Sequence, residues 1–376
     1  MLFRCESAKK KPRKRYRAKQ LGVEVLCRGA CTSNAPMRLI ALDNFDLMFM
    51  MNEEQKKGLV MVTKYLVTGG AGFIGSHIAD TLLNLGESVR VFDNLSTGRQ
   101  ANLSVLQGRA EILDGDIRNF DAVKAAMTGV EVVFHQAAMA SVPRSIAHPI
   151  ESLETNVNGT QHVLLAARDA GVRRVVYASS SSVYGNTPTL PKHEQMQTRP
   201  MSPYAVQKLT GELLCEVFTR VYGLETVALR YFNVFGPRQD PTSEYAAVIP
   251  RFLTALLKGQ RPIVFGDGEQ TRDFTYIANV VQANLLAASS TDAVGRAMNI
   301  GCGERISLNK VLHLAGELTG TFVNPEYREP RPGDVRDSLA DTSLARRLLD
   351  YQPSVGFREG LASTLEALRD SKSHVT

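Results

Sequence analysis

The stretch Gly69-Gly70-Ala71-Gly72-Phe73-Ile74-Gly75 constrains this chain more than any other. Before it, Val62 to Thr68 reads as a short buried strand centred on Tyr65, Leu66 and Val67. After it, Ile78, Ala79, Leu82 and Leu83 fall at helical spacing between Ser76 and Leu85, and Gly86 is a C-terminal stop. A strand turning through glycines straight into a helix brings backbone N–H groups and the positive helix end to one point, which suits a pyrophosphate. The candidate contacts are Gly69, Gly72, Phe73, Ile74 and Gly75. Their spacing is G-x-x-G-x-x-G rather than the commoner G-x-G-x-x-G.

The second half of such a unit follows in place. Ser88 to Phe92 reads as a strand ending at Asp93, 18 positions beyond Gly75. That is near the ~20 expected of a carboxylate that takes adenosine ribose hydroxyls. Asn94, not arginine, comes next, and a carboxylate repels a 2′-phosphate. The expected cofactor is therefore NAD rather than NADP, although Arg99 stands close by.

Three more strands are expected. Glu111 to Leu113 ends at Asp114-Gly115-Asp116, Val130 to His135 at Gln136-Ala137-Ala138, and Val175 to Ala178 at Ser179-Ser180-Ser181-Ser182. Helical patterns lie near Phe120 to Met127 and from Ser152 to Ala170. The alternation predicts an α/β fold of Rossmann type, a doubly wound parallel sheet covered on both faces. Ligands then sit at the carboxyl ends of the strands, where Asp93, Asp116, Gln136 and the serines all fall.

Tyr204-Ala-Val-Gln-Lys208 follows the serines. At i and i+4 the two side chains share one helix face, and Ser202 and Pro203 suit N-cap and first helical position. An ammonium held near the phenol favours the phenolate, which brings the pKa of roughly 10 toward working pH.

These motifs together resemble the extended short-chain dehydrogenase/reductase family, and within it the nucleotide-sugar 4-epimerases. The resemblance rests on Gly69–Gly75, Asp93-Asn94-Leu95-Ser96-Thr97-Gly98, Asp116-Ile117, His135–Ala138, Asn156, Ser179–Gly185 and Tyr204–Lys208. Leu229–Asn233, Gly266–Phe274 and Arg331-Pro332-Gly333-Asp334 complete it. It covers roughly Met61 to Leu368. It adds Asn94, Thr97, Gly98, Asp116, Ile117, Gln136, Ala137, Ala138, Asn156 and Phe232 to the implied NAD contacts, beside Tyr204 and Lys208. The branch acting on UDP-N-acetylhexosamines is suggested by Ser141–Ser145, Phe232–Pro241 and Tyr245–Pro250.

The reaction implied is inversion at C4 of a UDP-sugar through a transient 4-ketone. Tyr204 takes the C4 hydroxyl proton, Lys208 holds its pKa down and bonds the nicotinamide ribose, and Ser180 bonds the same oxygen. NAD is regenerated each turn and should be held tightly. The family's dehydratases and decarboxylases place an acid beside the catalytic Ser/Thr; Ser181 and Ser182 stand there instead.

The implied substrate contacts are Ser141, Arg144, Ser180, Ser181, Tyr204, Asn233, Val248, Arg272, Arg331, Asp334 and Ser338. Arg272 and Arg331 are aligned with the family's diphosphate ligands, which suits paired guanidinium donors. Val248 and Val264-Phe265 are expected to bracket the uracil. Ser338 holds the place that faces the sugar's C2 substituent and leaves room for an acetamide. Ala140 replaces the lysine of the glucose/galactose enzymes. A UDP-hexuronate 4-epimerase would share every catalytic residue, and an inactive NAD-binding regulator is a further alternative.

Residues 61–239 are expected to form the NAD domain, joined by a late strand within 275–302 for which Met298-Asn299-Ile300-Gly301 is the candidate. Residues 240–370 would form the smaller UDP-sugar lobe, interwoven with it. The net charge of +6 misleads: residues 1–60 carry 13 Lys and Arg against 6 Asp and Glu, and the rest carries 31 against 32. That basic stretch reads as a disordered extension or a start codon placed too early, rather than a nucleic-acid arm. Leu39 to Met51 is interrupted by Asp43, Asn44 and Asp46 and falls short of the about 18 residues a membrane span needs. Neither a membrane nor a nucleic-acid partner is expected.

The five cysteines, Cys5, Cys27, Cys31, Cys215 and Cys302, fit a reducing cytoplasm and no metal. His135 is expected to pack behind the site. Apolar residues Val163, Leu164, Leu213 and Phe218 on two helices suggest a homodimer face.

Overall fold

The computed structural model describes residues 14–17, 24–27, 64–240, 248–330 and 335–373. Within the first 62 residues, Lys14–Arg17 and Glu24–Cys27 pair antiparallel. The expectations placed on Tyr245–Ala247, Arg331, Asp334 and the remainder of residues 1–60 lie outside the described residues.

Residues from 63 onward form a separate unit built on a seven-stranded sheet. Its strands are β1 (Lys64–Thr68), β2 (Ser88–Asp93), β3 (Glu111–Asp114), β4 (Val132–His135), β5 (Arg174–Ser180), β6 (Glu225–Tyr231) and β7 (Arg296–Ile300). All pairings are parallel, in the order β3-β2-β1-β4-β5-β6-β7. The order reverses between β1 and β4, the switch point where ligands bind in open α/β sheets. Register levels the carboxyl ends there: Thr68 pairs with Phe92 and His135, and Ser180 with Tyr231. The late strand is β7, at the edge beside β6.

Strand alternation splits the core between the two faces. Val67, Val91, Phe134, Val176 and Leu229 pack under helices α1 (Phe73–Asn84) and α5 (Ile277–Ser289). Leu66, Phe92, Val133, Val175 and Ala228 pack under α2 (Phe120–Ala126), α3 (Gly159–Asp169) and α4 (Pro203–Tyr222). Each large apolar side chain buried this way contributes about 1.5–3 kcal/mol of transfer free energy.

The stretch read as one helix from Ser152 to Ala170 has three parts. Pro149–Leu153 and α3 are separated by a π turn at Glu154–Asn158. Three of the four residues expected on a dimer face are corrected here: Val163, Leu164 and Phe218 are buried against the sheet, whereas Leu213 is exposed. Exposed apolar residues include Val206, Leu213, Val217 and Val221 on α4, with Ile150 and Leu153 before the π turn.

The smaller lobe packs Phe252 and Leu253, Val311 and Leu361 around Phe235, from helices Val248–Leu257, Leu308–Thr319 and Phe357–Ser373. Fully buried Asp273 ties it to the sheet by accepting hydrogen bonds from the backbone N–H of Cys302 (2.8 Å), Gly303 (3.0 Å) and Ala340 (3.0 Å). Among the described residues no helix is long and apolar enough to cross a membrane.

Candidate active site

The glycine turn joins β1 to α1 as the spacing predicts. A Cβ at Gly75 would lie 2.2 Å from the Gly69 carbonyl oxygen, and Gly69 itself has φ +70°. Only glycines let the chain pass this closely. Helix α1 has Gly72 as N-cap, no side-chain cap and no acid in its first turn, so its first N–H groups face the switch point without a side-chain acceptor.

Asp93 closes the turn. Its carboxylate accepts from the N–H of Ala71 (2.9 Å) and Leu95 (2.8 Å). Burial raises its pKa, against those two hydrogen bonds. A Cβ at Gly98 would meet the Ala71 Cβ at 2.6 Å and the Asp93 Oδ1 at 2.8 Å, so Gly98 keeps the carboxylate in place. Exposed Asn94 donates to Asp116 (2.8 Å), whose pKa is lowered to about 2, chiefly by the Arg118 guanidinium. Thr97 is exposed beside them, and Phe73 and Ile74 are half-buried against the core. A tight glycine cradle with free helix N–H groups and a backbone-held acid fits the pyrophosphate and adenosine ribose of NAD.

Several expected cofactor contacts have other work. The Asn156 amide accepts from the Met139 N–H (2.8 Å) and donates to the Met139 carbonyl (3.3 Å) and to Gln207 (2.8 Å). It holds the loop after β4. The Phe232 ring is fully buried with Val183, Tyr184 and Ala340. The Gln136 amide donates to Tyr231 and Asn284, both at 3.2 Å. The Ala137 N–H donates to Thr68 Oγ1 (3.3 Å), and Ala138 continues the same loop. Ile117 is buried beneath Gly159. His135 bonds Thr68 (2.7 Å) and Thr160 (3.0 Å) behind the site.

The serine run ends β5. Ser180 caps a short 3₁₀ turn, Ser181–Tyr184, by accepting from the Ser182 N–H (3.2 Å). Ser202 caps α4 by accepting from the Ala205 N–H (3.2 Å), and Pro203 opens the helix. Tyr204 and Lys208 thus sit on the first turns of α4, facing the end of β5. Lys208 Nζ donates to the Ala178 carbonyl (2.7 Å) and lies 4.9 Å from the Tyr177 ring centre and 5.9 Å from that of Tyr204. Burial lowers the Lys208 pKa to about 8 and raises that of Tyr204 to about 12, the latter opposed by a hydrogen bond with Ser180. The expected lowering of Tyr204 by Lys208 is not seen in the protein alone.

Ser141 caps the helix Val142–Ala147, and its hydroxyl accepts from the Arg144 N–H (3.2 Å). Ser145 of that helix accepts from the Tyr204 N–H (3.1 Å), docking the loop beside the tyrosine. In the smaller lobe a cavity of about 260 Å³ is lined by Asn233, Val248, Arg251, Phe265, Gln270 and Arg272, among others. Ile263 and Phe265 line it, whereas Val264, expected beside the uracil, faces the core, because a strand points alternate residues to opposite sides. Arg251 and Gln270 were not anticipated. Arg251 lies three residues after Val248, one helix face on, and that spacing was readable. Ser338 is buried, and Asn233, which lines the cavity, donates through Nδ2 to its hydroxyl at 3.5 Å.

The NAD dependent epimerase/dehydratase family matches residues 65–301 of this chain. A UDP-glucose 4-epimerase of Mycolicibacterium smegmatis is 40% identical over 314 residues, 81% of this chain and 98% of that relative. A UDP-glucuronate 4-epimerase of Thermodesulfobacterium geofontis is 35% identical over 314 residues, 80% of this chain and 94% of its own length. Among solved structures, the UDP-N-acetylglucosamine 4-epimerase of Methanobrevibacter ruminantium M1, in complex with UDP-N-acetylmuramic acid, superposes with TM-score 0.79. It is 38% identical, over 82% of this chain and 99% of that one.

Proposed function

This chain belongs to the NAD dependent epimerase/dehydratase family, and we propose that within it the chain inverts C4 of a UDP-sugar, with UDP-N-acetylhexosamines as its principal substrates. It is an isomerase that uses NAD. The observation that carries the reading is the meeting of Ser180, Tyr204 and Lys208 at the carboxyl end of β5, with Ser181 and Ser182 where a further acid/base carboxylate would stand.

Gly69, Gly72, Gly75 and Asp93 hold the NAD pyrophosphate and adenosine ribose. NAD, when bound, accepts the hydride from C4 and returns it, and its cationic ring favours the Tyr204 phenolate. Tyr204 takes the proton of the C4 hydroxyl and returns it after inversion; Ser180 hydrogen-bonds the same oxygen. Lys208 fixes the tyrosine's surroundings and donates to the nicotinamide ribose. Arg272 and Arg251 bind the diphosphate, Val248 and Phe265 the uracil, and Ser141 and Arg144 the sugar side.

Ser338 is the reason for favouring the N-acetyl sugars, since a small side chain there leaves room at C2. A UDP-hexuronate is the second reading, supported by the 35% identical glucuronate relative. The exposed stripe Val206, Leu213, Val217 and Val221 with Ile150 and Leu153 supports a homodimer through α4. Incubation with UDP-GlcNAc, UDP-Glc and UDP-GlcA followed by NMR of the products tests the function. C4 epimers are expected, UDP-GalNAc foremost; no conversion of any of the three would overturn it.

A further inference from the structure

A buried polar chain starts at Ser179, next to Ser180. The Ser179 hydroxyl donates to Glu212 Oε1. Arg230 grips the same carboxylate through Nε (2.9 Å) and Nη2 (2.7 Å), and its Nη1 donates to the Tyr184 hydroxyl (2.8 Å). Tyr184 donates onward to Asn299 Oδ1 (2.7 Å). Asn299 Nδ2 then donates to the carbonyls of Lys192 (2.9 Å) and Asp341 (3.2 Å). Lys192 pairs by backbone with Leu339 and Asp341, both at 2.8 Å, on the segment that carries Ser338. Every side chain from Ser179 to Asn299 is buried.

An ion pair this deep is weak as a source of stability, because desolvation offsets its attraction and apolar replacements of similar size often do as well. Its geometry does something an apolar patch would not. Tyr184 ends the 3₁₀ turn that Ser180 caps, so the chain ties that turn to β5, β6, β7 and the 338–341 segment. Resting on the function proposed above, we propose that Glu212, Arg230 and Tyr184 are positioning residues that couple the serine run at the C4 chemistry to the wall of the sugar pocket at Ser338. A fixed distance between these two walls would let one sugar ring present C4 to Tyr204 and C2 to Ser338.

Two variants test the coupling in the NAD-loaded protein. Tyr184→Phe removes one hydroxyl and keeps the ring. It should fold and retain its NAD with a melting temperature lowered by a few degrees, lose about tenfold in kcat and change the ratio of UDP-GlcNAc to UDP-Glc turnover by about threefold or more. Hydrogen exchange should quicken at 181–184 and at 338–341 together. The pair Glu212→Leu with Arg230→Met should fold while losing about a hundredfold in kcat. Exchange at 338–341 unchanged in Tyr184→Phe, or parental kcat and substrate ratio in either folded variant, would overturn the coupling. An unmutated enzyme inactive on every UDP-sugar would instead refute the proposed function, and the exchange data would then decide the coupling alone.

Discussion

Lys208 Nζ lies 5.9 Å from the centre of the Tyr204 ring, on the side of the Ala178 carbonyl that it bonds. The pair is buried enough that the phenol is held near 12 and the ammonium near 8. Burial thus disfavours the phenolate, and positive charge brought close to the ring would favour it.

Tyr204→Phe removes the hydroxyl proposed to carry the C4 proton, and little else. Turnover should fall by about three orders of magnitude, with NAD still bound after purification. Retention of a tenth or more of the activity would take Tyr204 out of the base role.

Gly75→Ala puts a methyl group 2.2 Å from the Gly69 carbonyl oxygen. The glycine turn must open to admit it. The variant should purify with less than about a tenth of the parental NAD, read by absorbance after acid release. Full NAD content would contradict the cradle.

Much of this site was legible in the sequence because it is local. The glycine turn, Asp93 and the Ser202-Pro203 start of α4 each depend on neighbours a few residues apart. What failed depends on tertiary packing. Val163, Leu164 and Phe218 belong to helices with apolar residues on more than one face, and only the sheet decides which face is buried. The π turn at Glu154–Asn158 shifts the helical phase, and Asn156 within it is drawn onto Met139. Ile263–Phe265 is too short for its alternation to reveal that Val264 points inward. The chain from Ser179 to Asn299 joins residues up to 115 positions apart, as Tyr184 and Asn299 are, and no local pattern announces it.

Ser338→Tyr puts a large ring beside Asn233, where the proposed function places the sugar's C2 substituent. The rate on UDP-GlcNAc should drop by about a hundredfold or more while UDP-Glc is turned over within about threefold of the parent. Equal loss on both, or no change in preference, would refute the assignment of Ser338 to C2.

His135 supplies an acid-sensitive element. Burial, and secondarily the Lys208 charge, lower its pKa from 6.5 to about 3 in the folded protein. Between these values the unfolded chain binds the extra proton. The contribution is therefore complete above pH 6.5 and is lost as pH falls toward 3, roughly 2 kcal/mol by pH 5. Denaturant titrations at pH 7 and pH 5 should show this difference, and His135→Gln should largely remove it. The same pH dependence in His135→Gln would assign it to other groups.

The account's central claim is an oxidation at C4 that the same site reverses. UDP-GlcNAc carrying deuterium at C4, incubated in ordinary water without added NAD, tests it most directly. The account predicts UDP-GalNAc that keeps its deuterium at C4, because the hydride leaves and returns without meeting solvent. Product that has lost the label to water, or labelled substrate left unconverted, would contradict it.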